Sequence, residues 1–406
     1  MKVLILSQHF WPESFRINEV AATLAAMGCE VTVLTGQPNY PGGVIFDGYG
    51  AFRTHRETHD GIDIYRVPLI PRGRGGAVGL MLNYLSFLLA ASTLGPWALR
   101  GRHFDVIFVY GTSPILQAIA GVVLKHLKRA ALVIWVQDLW PESLEATGFV
   151  RNRVLLRGVE IVVGWIYRNA NLLLVQSEAF VPRVKAMSGH TPVHYHPNPG
   201  DAVLATVRAQ RAPALILEPG FNVVFAGNLG TVQALDNILN AAEMLLDHRD
   251  IRLVLVGSGG RSDWLQQQVT TRGLTNVRLT GRFPTEAMPA IFAQASALLV
   301  SLIRNPIMEL TIPSKIQAYL AAGRPIIAAL DGEGARVVRD AGAGLTCTSE
   351  DARALADTVL ELQATPAAKL REMGESGRRY YMQHFEPCLL GRKLLDRLNS
   401  VNNELS

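Results

Sequence analysis

Short, almost uninterrupted apolar runs recur along this chain and alternate with stretches whose apolar residues return every three to four positions. The first pattern suits strands buried on both faces, and the second suits amphipathic helices lying on them. A first series of strands is predicted at 3–7, 30–34, 63–67, 105–109, 132–137, 172–176 and 194–196, with helices at 18–27, 115–127, 154–168 and 179–187. A second series follows at 222–226, 252–256, 277–280, 297–301, 325–329 and 345–347, with helices at 234–246, 262–271, 287–293, 314–321, 335–340 and 352–362. One α/β architecture is therefore written twice, as two Rossmann-like domains with parallel sheets. Pro197-Asn198-Pro199-Gly200-Asp201, and the weakly patterned stretch up to Pro219-Gly220, mark the junction between them. The two domains are expected to face a cleft, with chemistry in the loops at the carboxyl ends of the strands.

One segment breaks the alternation. Residues 77–99 carry no charge and are flanked by Arg72 and Arg74 on one side and Arg100 and Arg102 on the other. The length suffices for a membrane span, but Asn83, Tyr84, Ser86, Ser92, Thr93, Gly95 and Pro96 interrupt the apolar run. Strands are predicted on both sides of it, and a single span would divide them between compartments. A helix lying on an anionic membrane surface, held by the arginines, is the expectation; a helix buried in the fold is the alternative.

Composition narrows the class without changing this picture. The 406 residues are 49% hydrophobic and 18% charged, with a net charge of +5, which excludes a disordered or fibrous chain. The basic excess suits an anionic small molecule or an anionic membrane and is too dispersed for nucleic acid. Cys29, Cys347 and Cys388 are widely spaced and odd in number, so neither a disulfide framework nor a zinc site is expected, and a reducing cytoplasm is the default. The first residues turn polar too soon for a signal peptide and read as a strand.

The candidate chemistry falls in the expected loops. After the first strand, residues 8–18 offer His9, Glu13, Arg16 and Asn18 among aromatics, able to grip a polyhydroxylated or phosphorylated acceptor; the bland alternative is a loop that caps the core. Pro38-Asn39-Tyr40-Pro41-Gly42-Gly43 shapes a rigid turn after the second strand and places Tyr40 beside that acceptor, or is a structural turn alone. Asp138 ends a strand, where a carboxylate can serve as general base, with His9 and Glu13 as the next candidates; alternatively, Asp138 caps the helix entered at Pro141.

In the second half, Gly227-Asn228-Leu229-Gly230 lets backbone N–H groups approach an anion. Gly257-Ser258-Gly259-Gly260 and Gly281-Arg282-Phe283-Pro284 end the next two strands; the latter can offer an aromatic edge and a backbone amide to a nucleobase, or both are ordinary strand-exit turns. Ser314 and Lys315 open a helix that Gly323 ends. A lysine in the first turn opposes the helix dipole, which makes sense if an anion binds there.

The run from Glu309 to Ala328, with its Ala321-Ala322-Gly323-Arg324-Pro325 core, resembles the donor-site helix of retaining family 4 glycosyltransferases of the GT-B fold. His9-Phe10-Trp11-Pro12-Glu13, Pro38-Asn39-Tyr40-Pro41-Gly42-Gly43 and Gln137-Asp138-Leu139-Trp140-Pro141-Glu142-Ser143 resemble a narrower branch that builds colanic acid, O-antigen and related bacterial surface polysaccharides. The resemblance spans essentially the whole chain. It implies an acceptor-binding domain at 1–200 and a nucleotide-sugar domain at 201–380. It also implies a terminal helix at 381–406 that crosses back to the first domain, for which 380–398 is the candidate.

A nucleotide-diphosphate-sugar donor, retention of configuration, no cofactor and no obligatory metal are also implied. The sequence departs from the broad family at four positions. Ala318 stands where a ribose-binding glutamate is usual, with Glu309 one residue off the position of the other. Asn228 and Gln233 stand where an arginine and a lysine usually clamp the diphosphate. Lys315, Ser314, the loop amides at Gly227 and Gly230, and Arg282 are expected to meet that charge instead. The expected activity is transfer of a sugar to a lipid-linked saccharide on the inner face of the cytoplasmic membrane. A nucleotide-sugar epimerase and a non-catalytic nucleotide-sugar-binding subunit are the rival readings.

Overall fold

The computed structural model describes residues 1–73, 76–146, 152–201 and 215–404. Of the expectations above, Arg74 and most of the stretch before Pro219 lie outside these residues. The chain divides into two compact units, Met1–Asn198 with Leu390–Ser406, and Pro199–Leu389.

The first unit holds eight strands: β1 (Lys2–Leu6), β2 (Glu30–Thr35), β3 (His55–His59), β4 (Ile62–Arg66), β5 (Val106–Gly111), β6 (Ala131–Val136), β7 (Leu172–Val175) and β8 (Val193–Tyr195). They lie in the order β3-β4-β2-β1-β5-β6-β7-β8. β1 is central, pairing in parallel through Val3 with Val31 of β2 and Val106 of β5. Every residue of β5 and β6 is buried, as their continuous apolar sequences require for strands covered on both faces. β3 departs from the predicted all-parallel sheet: it runs antiparallel to β4 and has the sequence His-Arg-Glu-Thr-His. Apolar periodicity cannot find such a strand, because an edge strand can be polar on both faces.

The helices of this unit are α1 (Arg16–Ala26), α2 (Ala77–Ala98), α3 (Ala118–Lys128), α4 (Glu142–Ala146), α5 (Arg153–Asn169) and α6 (Phe180–Ser188). α2 is the uncharged segment. Asn83, Phe87, Ala91, Gly95 and Leu99 form a buried stripe along and just past it, at the four-residue spacing of one helix face. Gly95 packs so closely on Leu34 that a Cβ there would lie 2.8 Å from a leucine methyl. Val78, Met81, Leu82, Leu85, Leu89, Leu94 and Trp97 are exposed. By length and composition the segment Val78–Ala98 could cross a membrane, at mean hydropathy 1.5.

The second unit has six parallel strands, β9 (Phe221–Ala226), β10 (Ile251–Val256), β11 (Val277–Gly281), β12 (Ala297–Ser301), β13 (Ile326–Ala329) and β14 (Gly344–Cys347), in the order β11-β10-β9-β12-β13-β14. Its helices are α7 (Leu235–Met244), α8 (Ser262–Thr271), α9 (Met288–Phe292), α10 (Pro306–Glu309), α11 (Ser314–Ala322), α12 (Glu333–Asp340), α13 (Ala352–Ala364) and α14 (Ala367–His384). Each sheet face buries its own apolar cluster, one around Ile316 and Tyr319 of α11, the other around Leu235 and Leu239 of α7.

The chain end is two helices, not one element at 380–398. Tyr381 and Phe385 are buried in the second unit, whereas α15 (Pro387–Asn403) carries Leu394, Leu398 and Val401 into the cluster of Val3, Ile5 and Ile17. The return therefore begins at Leu390 rather than at residue 381. Gly391 is required there, since a Cβ would collide with Thr23, and Arg397 Nη2 donates to the Tyr195 carbonyl at 2.9 Å.

Candidate active site

The loops after β1 and β2 are tied together by one buried carboxylate. Glu13 Oε1 accepts from the backbone N–H of Asn39 at 2.7 Å and of Tyr40 at 2.6 Å, and Oε2 bonds His9 Nδ1 at 2.9 Å. The Glu13 side chain is 1% exposed, so it positions its neighbours and has no open face for a substrate. Its bond to Nδ1 places a proton between that nitrogen and the carboxylate and fixes the orientation of the ring. The His9 ring stacks on Phe15, centroids 4.9 Å apart, and meets Tyr40 at 5.6 Å.

Asp138 follows β6. Its Oδ2 accepts from the Ser113 N–H at 2.9 Å, in the loop after β5, while Trp140 Nε1 donates to Ser113 Oγ at 3.0 Å. The carboxylate thus serves an adjacent loop rather than capping the helix entered at Pro141. Among the described residues, its Oδ1 has no hydrogen-bond partner. The other expected residues divide. Arg16 pairs with Glu19 at 3.1 Å. Asn18 Nδ2 donates to the Glu13 carbonyl at 2.7 Å, so Asn18 closes the loop from within. Tyr40 is 38% exposed and faces solvent.

Three groups escaped the sequence reading. Gln8 Nε2 donates to Asn83 Oδ1 at 2.7 Å, and Asn83 Nδ2 donates to the Ile70 carbonyl at 2.6 Å. Ser86 Oγ accepts from the Ile70 N–H at 2.9 Å. Asn83 and Ser86, two of the polar residues that interrupt α2, are therefore its anchors to this site, and an asparagine in an uncharged helix is the signal that could have found them. Tyr84 of α2 is the second group: burial pushes its hydroxyl pKa up, with Arg72 opposing and Asp138 and Tyr40 adding to the rise. Tyr110 is also raised by burial, opposed by Arg16 and reinforced by Asp138. The third is Arg66, fully buried, which pairs with Glu57 at 2.5 Å and donates to the carbonyls of Gly36 (3.0 Å) and Trp11, fixing the same loops.

In the second unit a cavity of about 480 Å³ opens at the ends of β9, β10 and β11. Gly227, Asn228, Arg282 and Phe283 line it together with Val256 and Met288. Gly227 and Gly257 have φ of +138° and +140°. A Cβ on Gly257 would strike the Gly227 carbonyl, so the two loops touch backbone to backbone. Gly230 lies against the Asn228 amide. Lys315 lies against Gly227, its Nζ 3.7 Å from the Phe225 ring centroid, and donates to Gln233 Oε1. Desolvation lowers its pKa from 10.5 to about 7. Among the described residues no carboxylate pairs with it.

Pro313 precedes α11 and gives its first N–H groups no side-chain cap. Ser314 is exposed at that helix start, and Glu309 ends α10; neither lines the cavity. Ala318 is packed against the apolar cluster. Among the described residues no group of three His, Cys, Asp or Glu side chains is placed to hold a metal ion.

Two family models match the chain, "Glycosyl transferase 4-like domain" over residues 14–199 and "Glycosyl transferases group 1" over residues 220–365. WcaI of Escherichia coli (strain K12), named as a glycosyl transferase of colanic acid biosynthesis, is 25% identical over 80% of this chain and 82% of its own. The Pseudomonas aeruginosa protein WbjE, named as a glycosyltransferase, is 25% identical over 74% of this chain and 75% of its own. Among solved structures, sucrose-phosphate synthase from Thermosynechococcus elongatus superposes with a TM-score of 0.72 at 16% identity, covering 98% of each chain. Anabaena HepE in complex with UDP gives 0.66 at 16% identity, covering 98% of this chain and 100% of that one. At these identities the structures speak to the fold alone, which is GT-B.

Proposed function

The chain belongs to the group 1, family 4-like glycosyltransferases, and from that premise we propose that it moves a sugar, with retention of configuration, from a nucleotide-diphosphate-sugar to a lipid-linked saccharide of a bacterial surface polysaccharide. Family membership displaces the epimerase and non-catalytic readings.

The observation that carries the donor half is Lys315. It is a desolvated cation without a carboxylate among the described residues, at the uncapped start of α11 and packed against Gly227, which lines the cavity together with Asn228, Arg282 and Phe283, although Lys315 itself does not line it. Such a cation is stabilised by an anion, and a leaving diphosphate develops charge at this point in the reaction. It takes the role that Asn228 and Gln233 cannot fill. The UDP complex of HepE supports a nucleotide ligand of this kind.

In the first unit, Asp138 receives the proton of the attacking hydroxyl through its unbonded oxygen, and His9, oriented by Glu13, holds the acceptor. No covalent nucleophile is needed. No cofactor is required beyond the donor, and no metal ion.

The lipid half rests on α2. Its buried stripe is anchored by Asn83 and its outer face is apolar, with Arg100 over Trp97 at 4.4 Å. This supports a helix that lies on the inner leaflet rather than one that crosses it. Replacing Lys315 with Ala should lower transfer at least 100-fold. Normal kinetics in that variant would contradict the donor assignment. The protein should float with vesicles of phosphatidylglycerol at low salt, and failure to do so would contradict the membrane assignment.

A further inference from the structure

β9 ends with unequal neighbours. β10 stays in register with it as far as Ala226, whereas its pairing with β12 runs over Val223 and Val224. The N–H of Gly227 donates to the Val256 carbonyl of β10 at 2.9 Å. Peptide groups of successive residues point to opposite sides of a strand, so the polar groups of Ala226 face the other flank, beyond the end of the pairing with β12. Ala226 is buried, and a buried backbone donor and acceptor need partners. Tyr319 of α11 supplies both. Its hydroxyl accepts from the Ala226 N–H at 2.9 Å and donates to the Ala226 carbonyl at 3.4 Å. The side chain is buried in the apolar cluster, its ring edge-on to Phe292 with centroids 5.3 Å apart.

Lys315 stands one turn earlier on the same face of α11. Its Nζ lies over the Phe225 ring and its side chain against Gly227. Two residues of one helix therefore hold three successive residues of the strand end, Tyr319 at Ala226 and Lys315 at Phe225 and Gly227. We infer that Tyr319 is a positioning residue of the donor site: its hydroxyl fastens α11 to the end of β9 and so keeps Lys315 against the Gly227 turn, where a diphosphate is received. The inference rests on the donor reading proposed above and adds what fixes the lysine before the ligand arrives. Phenylalanine would fill the same space in the cluster, so the hydroxyl can be removed without removing the ring.

The probes are UDP, GDP and dTDP, titrated by calorimetry into wild type, Tyr319→Phe, Lys315→Ala and the double variant. Wild type should bind one of them. Tyr319→Phe should still unfold in one cooperative transition and bind that diphosphate about tenfold more weakly, the scale of one lost hydrogen bond. In the Lys315→Ala background the same replacement should change affinity by less than about twofold, because groups that act through one another are not additive. Hydrogen exchange of wild type gives the reading if Tyr319→Phe does not fold or Lys315→Ala does not bind: the diphosphate should protect the Ala226 amide along with that of Gly227.

Wild-type affinity in Tyr319→Phe overturns the inference. So does an equal loss in both backgrounds, which would make the hydroxyl a support of the fold and not of Lys315, and so does protection that reaches Gly227 without Ala226. Wild type that binds none of the three diphosphates contradicts the donor reading itself.

Discussion

Lys315 sits where an isolated cation is least stable, in the first turn of α11, against an aromatic ring, with Gln233 as its hydrogen-bond acceptor. Its folded pKa of about 7 lies below the usual 10.5. Between those values the unfolded chain holds more protons than the folded one, so this group lets stability rise with pH from about 7 toward 10. Replacing Lys315 with Met should therefore raise the melting temperature of the free protein at pH 7, by about 2–4 °C if about 1 kcal/mol is recovered. It should also flatten that pH dependence. If a nucleoside diphosphate binds at Lys315 as proposed, it recharges the lysine, and its affinity for wild type should fall as pH rises through 7, by up to about tenfold per unit. Titration calorimetry of wild type and Lys315→Met at pH 6, 7 and 8 reads both effects; a flat profile in wild type would contradict them.

Glu13 teaches the opposite lesson. By residue type and place it reads as a candidate base, and the structure shows a buried acceptor of three hydrogen bonds. Glu13→Gln replaces an acceptor oxygen with a donor facing either His9 Nδ1 or two backbone N–H groups. Urea unfolding should show a loss of roughly 2 kcal/mol, the scale of hydrogen bonds to a charged group left unmade. An unchanged midpoint would mean that the loops hold without it.

Among the elements, strands were legible because two buried faces demand continuous apolar sequence; β5, β6 and β9 are found at their predicted places within a residue or two. β3 was not legible, because its residues bury nothing that periodicity can register. α2 was legible as an uncharged helix, but the meaning of its polar residues was not. Asn83 and Ser86 interrupt the run in sequence and hold the helix in space through Gln8 and Ile70. A spanning helix has no such partners to satisfy. Asn83→Leu should leave the helix apolar while orphaning the Gln8 amide and the Ile70 carbonyl. It should lower turnover with acceptor tenfold or more, with nucleoside diphosphate affinity unchanged. Loss of both functions together would show that α2 supports the whole fold rather than this site.

At the scale of the molecule, the doubled α/β pattern foretold both sheets, and the loops expected to carry chemistry do gather at strand ends. Asp138 with Ser113, and Gly227 with Lys315, are contacts across loops distant in sequence, and no local spacing encodes them. The same holds for the chain end, whose Leu394 and Leu398 complete the core around β1 and α1. Truncation after Leu389 should destabilise the first unit, exposing the faces of Val3, Ile5 and Ile17 that α15 covers. Hydrogen exchange would show it as lost protection in β1 and α1, with β9 to β14 unaffected; protection kept in β1 would mean that α15 is dispensable.

On the reading proposed above, the second unit binds a nucleoside diphosphate through Lys315 without the usual basic pair. A thermal-shift series with UDP, GDP, dTDP and CMP, run on wild type and on Lys315→Ala, tests it most directly, since a ligand that binds only the folded state raises the melting temperature. One diphosphate should stabilise wild type selectively, name the base, and lose its effect in the variant. No shift with any of them, or an equal shift in both proteins, would mean that Lys315 holds no diphosphate.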